Sequence, residues 1–235
     1  LNLSVSIMII SHKYRFIFIK TRKTAGTSIE VMLSSLCDES DVCTPIYPPE
    51  IGHVSRNYKG RWSLGNEISR QRNGLNLKSA TDWLKSRPFR NHSSAEDVKS
   101  RVSVSIWNSY TKFCVDRNPW DKTLSHFHMC KQRSNPPKSF TEYLSAKELC
   151  LNYPLYSDRH GKVLVDRVLR YENLESELFA LLDELGVPHL GALQVNAKGN
   201  YRKDRRHYRE VYSDKQRAIV EQEFAPEIAL LGYQF

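Results

Sequence analysis

Two short segments hold the residues best suited to chemistry. The first, Arg22-Lys23-Thr24-Ala25-Gly26-Thr27-Ser28, joins an apolar run from Phe16 to Ile19 to a helical pattern that begins near Thr27. A strand, a short loop and a helix in this order gather backbone N–H groups, a helix N-terminus and a lysine around one point. That is a site for an anionic, phosphate-like group. The second segment runs Asp116-Arg117-Asn118-Pro119-Trp120-Asp121-Lys122-Thr123-Leu124-Ser125 and follows another apolar run. Arg117 falls in the turn, and Ser125 lies about two helical turns further on. An arginine fork grips a phosphate bidentately, and a serine hydroxyl adds one bond. Alone, such an arginine is equally well explained by pairing with a carboxylate such as Asp121. The information lies in having both segments in one chain.

The loop does not read as an ATP site. The P-loop pattern G-x-x-x-x-G-K-[ST] places its lysine after the second glycine. Here Lys23 precedes Gly26, and no glycine opens the loop. Asp166 follows Val-Leu-Val much as a Walker B carboxylate would, but without the glycine-rich partner it reads as a strand-end residue.

The elements that position these segments follow from periodicity. Residues 14–20, 110–115 and 162–170 read as strands. Helices are expected over 27–36, 94–101 (capped by Ser93 or Ser94), from Pro119 onward, and over 139–145, 174–185 and 213–224. Gly186 and Pro188 close the fifth of these, and Ser213 and Asp214 open the last. Residues 38–91 are polar, contain Pro45, Pro48, Pro49 and Pro88, and read as irregular apart from a short helix at 80–85. Strands alternating with helices imply an α/β fold with a parallel central sheet. Ligands of such sheets bind at the carboxyl ends of the strands. Lys23 and Arg117 both lie just past strand ends, so they are expected to share a crevice.

Composition bounds the reading. At 235 residues the chain is expected to form one domain, 1–235, with 38–91 as a substrate-side insertion. The formal charge of +9 favours anionic partners without choosing among them. Five cysteines (Cys37, Cys43, Cys114, Cys130 and Cys150) show no zinc spacing and read as reduced thiols, with a Cys37–Cys43 disulfide the weaker alternative. His126 and His128 stand two apart on a helix and face different ways, so no metal is expected. No apolar run reaches the ~18 residues of a membrane span. The first ten residues lack a signal peptide's basic region and cleavage site. A cytoplasmic location is the expectation.

The segment 22–28 resembles the 5′-phosphosulfate loop of sulfotransferases that use 3′-phosphoadenosine 5′-phosphosulfate (PAPS). It is most similar to the P-K-T-[AG]-[GS]-T-S form of the carbohydrate enzymes, the heparan/uronyl 2-O-like group. Arg22 stands where that form has proline. The stretch from Arg117 to Ser125 resembles their 3′-phosphate motif, and Lys198-Gly199-Asn200-Tyr201-Arg202 resembles their late nucleotide-contacting loop. His92, in His92-Ser93-Ser94, resembles the His-x-Ser general base of the 2-O-sulfotransferases. The resemblance implies a P-loop-NTPase-like three-layer α/β fold. It implies PAPS as donor, adenosine 3′,5′-bisphosphate (PAP) as product, and no metal. On this reading the donor is held by Arg22, Lys23, Thr24, Ala25, Gly26, Thr27, Ser28, Arg117, Ser125, Lys198, Gly199, Tyr201 and Arg202, with Lys23 also catalytic.

His92 is the first choice of base, followed by His53 and then Glu30. For each, a structural role is the competing reading: a cap-region residue for His92, and a solvent-facing side chain or an ion pair with a lysine for Glu30. The basic and aromatic stretch 53–90 suits a sugar or anionic glycan and equally suits a solvated insertion. The acceptor expected is a carbohydrate hydroxyl, with tyrosine or a small natural product as the other readings. The rivals are an ATP- and magnesium-dependent phosphotransferase and a basic nucleic-acid-binding module. No helix-turn-helix, zinc or RRM signature supports the latter, so nucleic acid is not an expected partner.

Overall fold

The computed structural model describes residues 8–46, 48–58, 93–193 and 206–235. Its centre is a five-stranded sheet of β1 (Met8–Ser11), β2 (Phe16–Ile19), β3 (Val42–Cys43), β4 (Thr111–Asp116) and β5 (Arg167–Arg170), in the order β3-β1-β2-β4-β5. Strands β2, β4 and β5 are parallel to one another. The expected parallel core is present, but the sheet as a whole is mixed. Strand β1 turns through residues 12–15 to pair antiparallel with β2, Met8 opposite Ile19 and Ser11 opposite Phe16, and β3 pairs antiparallel with β1.

Strand β2 reads Phe-Ile-Phe-Ile because both faces of the sheet are covered. Phe16 and Phe18 pack with Phe113 and Val115 against α1 (Gly26–Ser35) and α7 (Leu174–Glu184). Ile17 and Ile19 point the other way, toward α2 (Ala95–Arg101), α3 (Val104–Ser109) and α6 (Tyr153–Tyr156). Helices on both faces make three layers. Beyond the carboxyl edge a third core gathers α4 (Pro119–Cys130), α5 (Phe140–Ser145), α8 (Asp214–Glu223) and α9 (Ala225–Leu231) around Trp120, Phe127 and Phe224. Among the described residues no helix is long and apolar enough to cross a membrane.

The departures from expectation have local causes. Strand β5 is shorter than the expected 162–170 because Val163 bridges Ser157 and Leu164 N–H donates to the Tyr156 carbonyl, which draws this stretch off the sheet. The tail after Pro226 forms α9 with proline in its first turn and ends at Gly232, whose φ is 63°. Helix α3 starts at a Ser103 cap that accepts from Ile106 N–H. The short helix expected at 80–85 lies outside the described residues.

A buried polar cluster lies beneath the carboxyl edge. Asp116 Oδ1, at the end of β4, accepts from Lys122 Nζ (2.8 Å), Asn152 Nδ2 (2.9 Å) and its neighbour Arg117 N–H (2.8 Å). Its Oδ2 accepts from the Tyr156 hydroxyl at 2.8 Å. Lys122, with no exposed side-chain surface, also lies 3.7 Å from Glu227 Oε1, and that oxygen accepts from the Asn152 and Tyr153 N–H groups. Burial raises the pKa of Glu227, and the Lys122 charge opposes that shift. Lys122→Met removes the cation and leaves Asp116 and Glu227 enclosed. It should cost about 3–5 kcal/mol in chemical denaturation. The Asp116→Asn/Lys122→Met pair should cost less than the two single changes summed, and strict additivity would show that these charges do not interact.

In α4, His126 is buried and hydrogen-bonded through Nδ1 to the Tyr143 hydroxyl at 2.7 Å. Burial, helped by the charges of Arg133, Lys23 and Arg22, lowers its pKa from 6.5 to about 3. Between those values the unfolded chain binds the extra proton, so stability rises with pH. This contribution is complete above the unfolded pKa and is lost as pH falls toward the folded one. From pH 7 to pH 5 it amounts to ~2 kcal/mol. Urea titrations at the two pH values should show a smaller acid loss for His126→Gln than for the parent. Equal losses would remove His126 as the cause.

Candidate functional site

The loop between β2 and α1 is built on Lys20. Its Nζ donates to Thr27 Oγ1 (3.0 Å) and to Glu30 Oε2 (3.1 Å), both on the first turns of α1. The lysine stem runs beneath Gly26, where an added Cβ would stand 2.7 Å from Lys20 Cγ and 3.0 Å from Cε. The ammonium is pinned at its far end, so the stem has little freedom to withdraw. Gly26 is therefore required by close approach, not by its own backbone angle.

Above this floor Lys23 and Ala25 adopt left-handed backbone, with φ of 62° and 56°. Two non-glycine residues in that region carry strain and persist only when their surroundings hold them. Three anchors do so here. Asn152 brackets Arg22, accepting from its N–H (2.9 Å) and donating to its carbonyl (3.1 Å). Thr21 and Thr24 share a hydroxyl contact of 2.8 Å, and the Thr21 hydroxyl also donates to the Val115 carbonyl of β4. The third anchor is Arg117, whose Nη1 donates to the Lys23 carbonyl at 3.1 Å. Helix α1 has Ala25 at its N-cap, with no side-chain cap and no acid in its first turn; the Ser28 N–H turns back to the Ala25 carbonyl at 2.9 Å, and the field of such an uncapped start favours an outside anion.

Arg117 is half-buried in the turn from β4 to α4. Its Nε and Nη2 both donate to Asp121 Oδ2 (2.8 and 2.5 Å), and its Cζ lies 4.2 Å from the centre of the Tyr171 ring. The carboxylate pairing weighed for this residue is thus present, and so is the link to the first loop. Asn118 caps α4, its Oδ1 accepting from the Trp120 and Asp121 N–H groups. Ser125 is half-buried four residues beyond Asp121, on the same face of the helix. Trp120 is core, packed edge-on to Phe235.

The structure thus brings Arg22, Lys23, Thr24, Ala25, Gly26, Thr27, Ser28 and Arg117 to the carboxyl edge of β2 and β4, with Ser125 about two turns along α4. Within this set the Thr24 side chain faces inward and is a brace of the loop. Glu30 is completely buried against Lys20, which matches the ion-pair reading, overturns the solvent-facing one and leaves the residue poorly placed to meet a substrate. His53 donates from Nε2 to the Thr44 carbonyl at 2.8 Å, so Nδ1 carries the lone pair, enclosed and without a hydrogen-bond partner among the described residues. Burial holds its pKa below the ordinary range, and the Lys20 and Arg56 charges push the same way. His92, Lys198, Gly199, Tyr201 and Arg202 lie outside the described residues.

Sequence reasoning missed Lys20, Asp116, Lys122 and Asn152, which brace the loop from below. The only signal available was position: a charge at the end of each of two apolar strands, where an unpaired charge would be costly. The donor-rich rim fits an anion. Arg22 Nε is enclosed with no hydrogen-bond partner among the described residues, and the start of α1 is uncapped.

An uncharacterized protein of Archaeoglobus fulgidus is 34% identical over 113 residues, which is 45% of this chain and 94% of that protein. The sequence model described as "Sulfotransferase family" matches residues 6–234. With the match running almost end to end over an α/β sheet whose strand ends lead into the 22–28 and 117–125 segments, the chain belongs to the sulfotransferase family.

Proposed function

We propose that this sulfotransferase takes its sulfuryl group from PAPS and passes it to a hydroxyl of a carbohydrate-like acceptor. The observation that carries the reading is the 3.1 Å hydrogen bond from Arg117 to the Lys23 carbonyl. It makes neighbours of two donor-rich segments, as a ligand with an anion at each end requires. PAPS, when bound, supplies a sulfuryl unit on a phosphate oxygen that gains negative charge as the bond breaks. On this reading Lys23 and the first N–H groups of α1 meet that charge, which favours the transition state over the ground state. Thr27 and Ser28 add hydroxyls on the same turn. Arg117 and Ser125 hold the 3′-phosphate, and Lys198, Gly199, Tyr201 and Arg202 close on the nucleotide.

His92 takes the acceptor proton, a role worth ~10²–10⁴-fold in rate. His53 is the second choice, because its ring is half-buried, keeps a free lone pair and is held neutral by burial. Residues 38–91 form the acceptor side of one domain spanning 1–235.

Three substitutions test the assignment. Lys23→Ala should abolish transfer of labelled sulfate from PAPS. Arg117→Ala should weaken PAP binding by about 1.5–3 kcal/mol in isothermal titration. His92→Ala should remove turnover with PAP affinity near normal, and retained turnover would pass the role to His53. A parent protein that binds ATP as well as PAP would sink the donor assignment.

A further inference from the structure

We infer that Asp121 is a positioning residue that holds Arg117 in the pose that receives the 3′-phosphate, an inference that rests on the PAPS reading above. A guanidinium has five N–H donors. Three are committed: Nε and one hydrogen of Nη2 to Asp121 Oδ2, and one hydrogen of Nη1 to the Lys23 carbonyl. Among the described residues, one N–H therefore remains on each terminal nitrogen. Two donors on adjacent nitrogens are what a phosphate needs for a bidentate grip. The Tyr171 ring covers the guanidinium plane from the side, 4.2 Å from Cζ.

Asp121 is itself well fixed. Its N–H is capped by Asn118 Oδ1 at 3.3 Å, and it stands in the first turn of α4, where the helix field favours an anion. It shares a helix face with Ser125, so the clamp and the second phosphate donor are aligned by one element. An arginine loses much rotamer freedom when it binds, and a site that has already spent that entropy binds more tightly. The Asp121 carboxylate also brings a negative charge toward an incoming phosphate. Pre-ordering outweighs that repulsion on this assignment, because the carboxylate takes the Nε edge of the guanidinium and leaves a donor on each terminal nitrogen.

The test compares PAP with adenosine 5′-phosphate, which lacks the 3′-phosphate, by isothermal titration. The proteins are the parent, Asp121→Ala and Asp121→Asn. Asp121→Ala should weaken PAP binding about tenfold and leave adenosine 5′-phosphate within twofold. Asp121→Asn keeps an acceptor oxygen and should recover most of the PAP affinity, with thermal midpoints near the parent in both variants. An equal loss for both nucleotides, or tighter PAP binding in Asp121→Ala, overturns the role of Asp121 while the parent's preference for PAP stands. A parent that shows no preference for PAP overturns the donor reading, and this inference with it.

Discussion

The Asp116 carboxylate is the interaction on which the rest of the carboxyl edge depends. It ends the central strand of the parallel core and accepts from Lys122, Asn152, Tyr156 and the Arg117 backbone. A charge so deep is tolerable only when paired and hydrogen-bonded. Each donor it recruits belongs to a different part of the site's support. Lys122 comes from α4, Tyr156 from α6, and Asn152 from the residue that also brackets Arg22. One buried anion thereby fixes the spacing between the loop after β2 and the turn after β4.

The sheet supplies the other half of that spacing. In the parallel pairing of β2 with β4, Ile19 lies opposite Cys114, so the two strands end nearly level. The chain leaves each strand on the same side and turns into a helix, first α1 and then α4. Lys23 and Arg117 are close because adjacent parallel strands deliver them to the same end of the sheet, and the bond between them completes what the register begins. Strand β1, antiparallel and outside this core, contributes a hydrophobic flank and no site residue.

Much of this was legible in the amino-acid order, and what was missed shares a cause. The strand at Phe16–Ile19, the helix from Gly26, the Ser94 and Ser213 caps and the closure at Gly186 each carry a local signal of period, cap or turn. Strand β1 escaped because three apolar residues and a serine have no readable period on their own. The shortening of β5 depends on a bridge to Ser157, and the bracing roles of Lys20 and Asn152 depend on partners that only the fold brings near. Glu30 shows the same limit from the other side: its helix position was clear, but its burial against Lys20 is a tertiary fact.

The left-handed loop at Lys23 has a consequence for how the protein comes into being. Its anchors are remote in the chain, with Arg117 94 positions away from Lys23 and Asn152 130 from Arg22. Contacts of such long span repay their closure entropy only after most of the sheet has assembled. A nascent chain that has just exposed the first loop thus lacks what bends it into shape. The shape of this loop arrives with the completed fold and not before, so a half-made molecule does not yet present it.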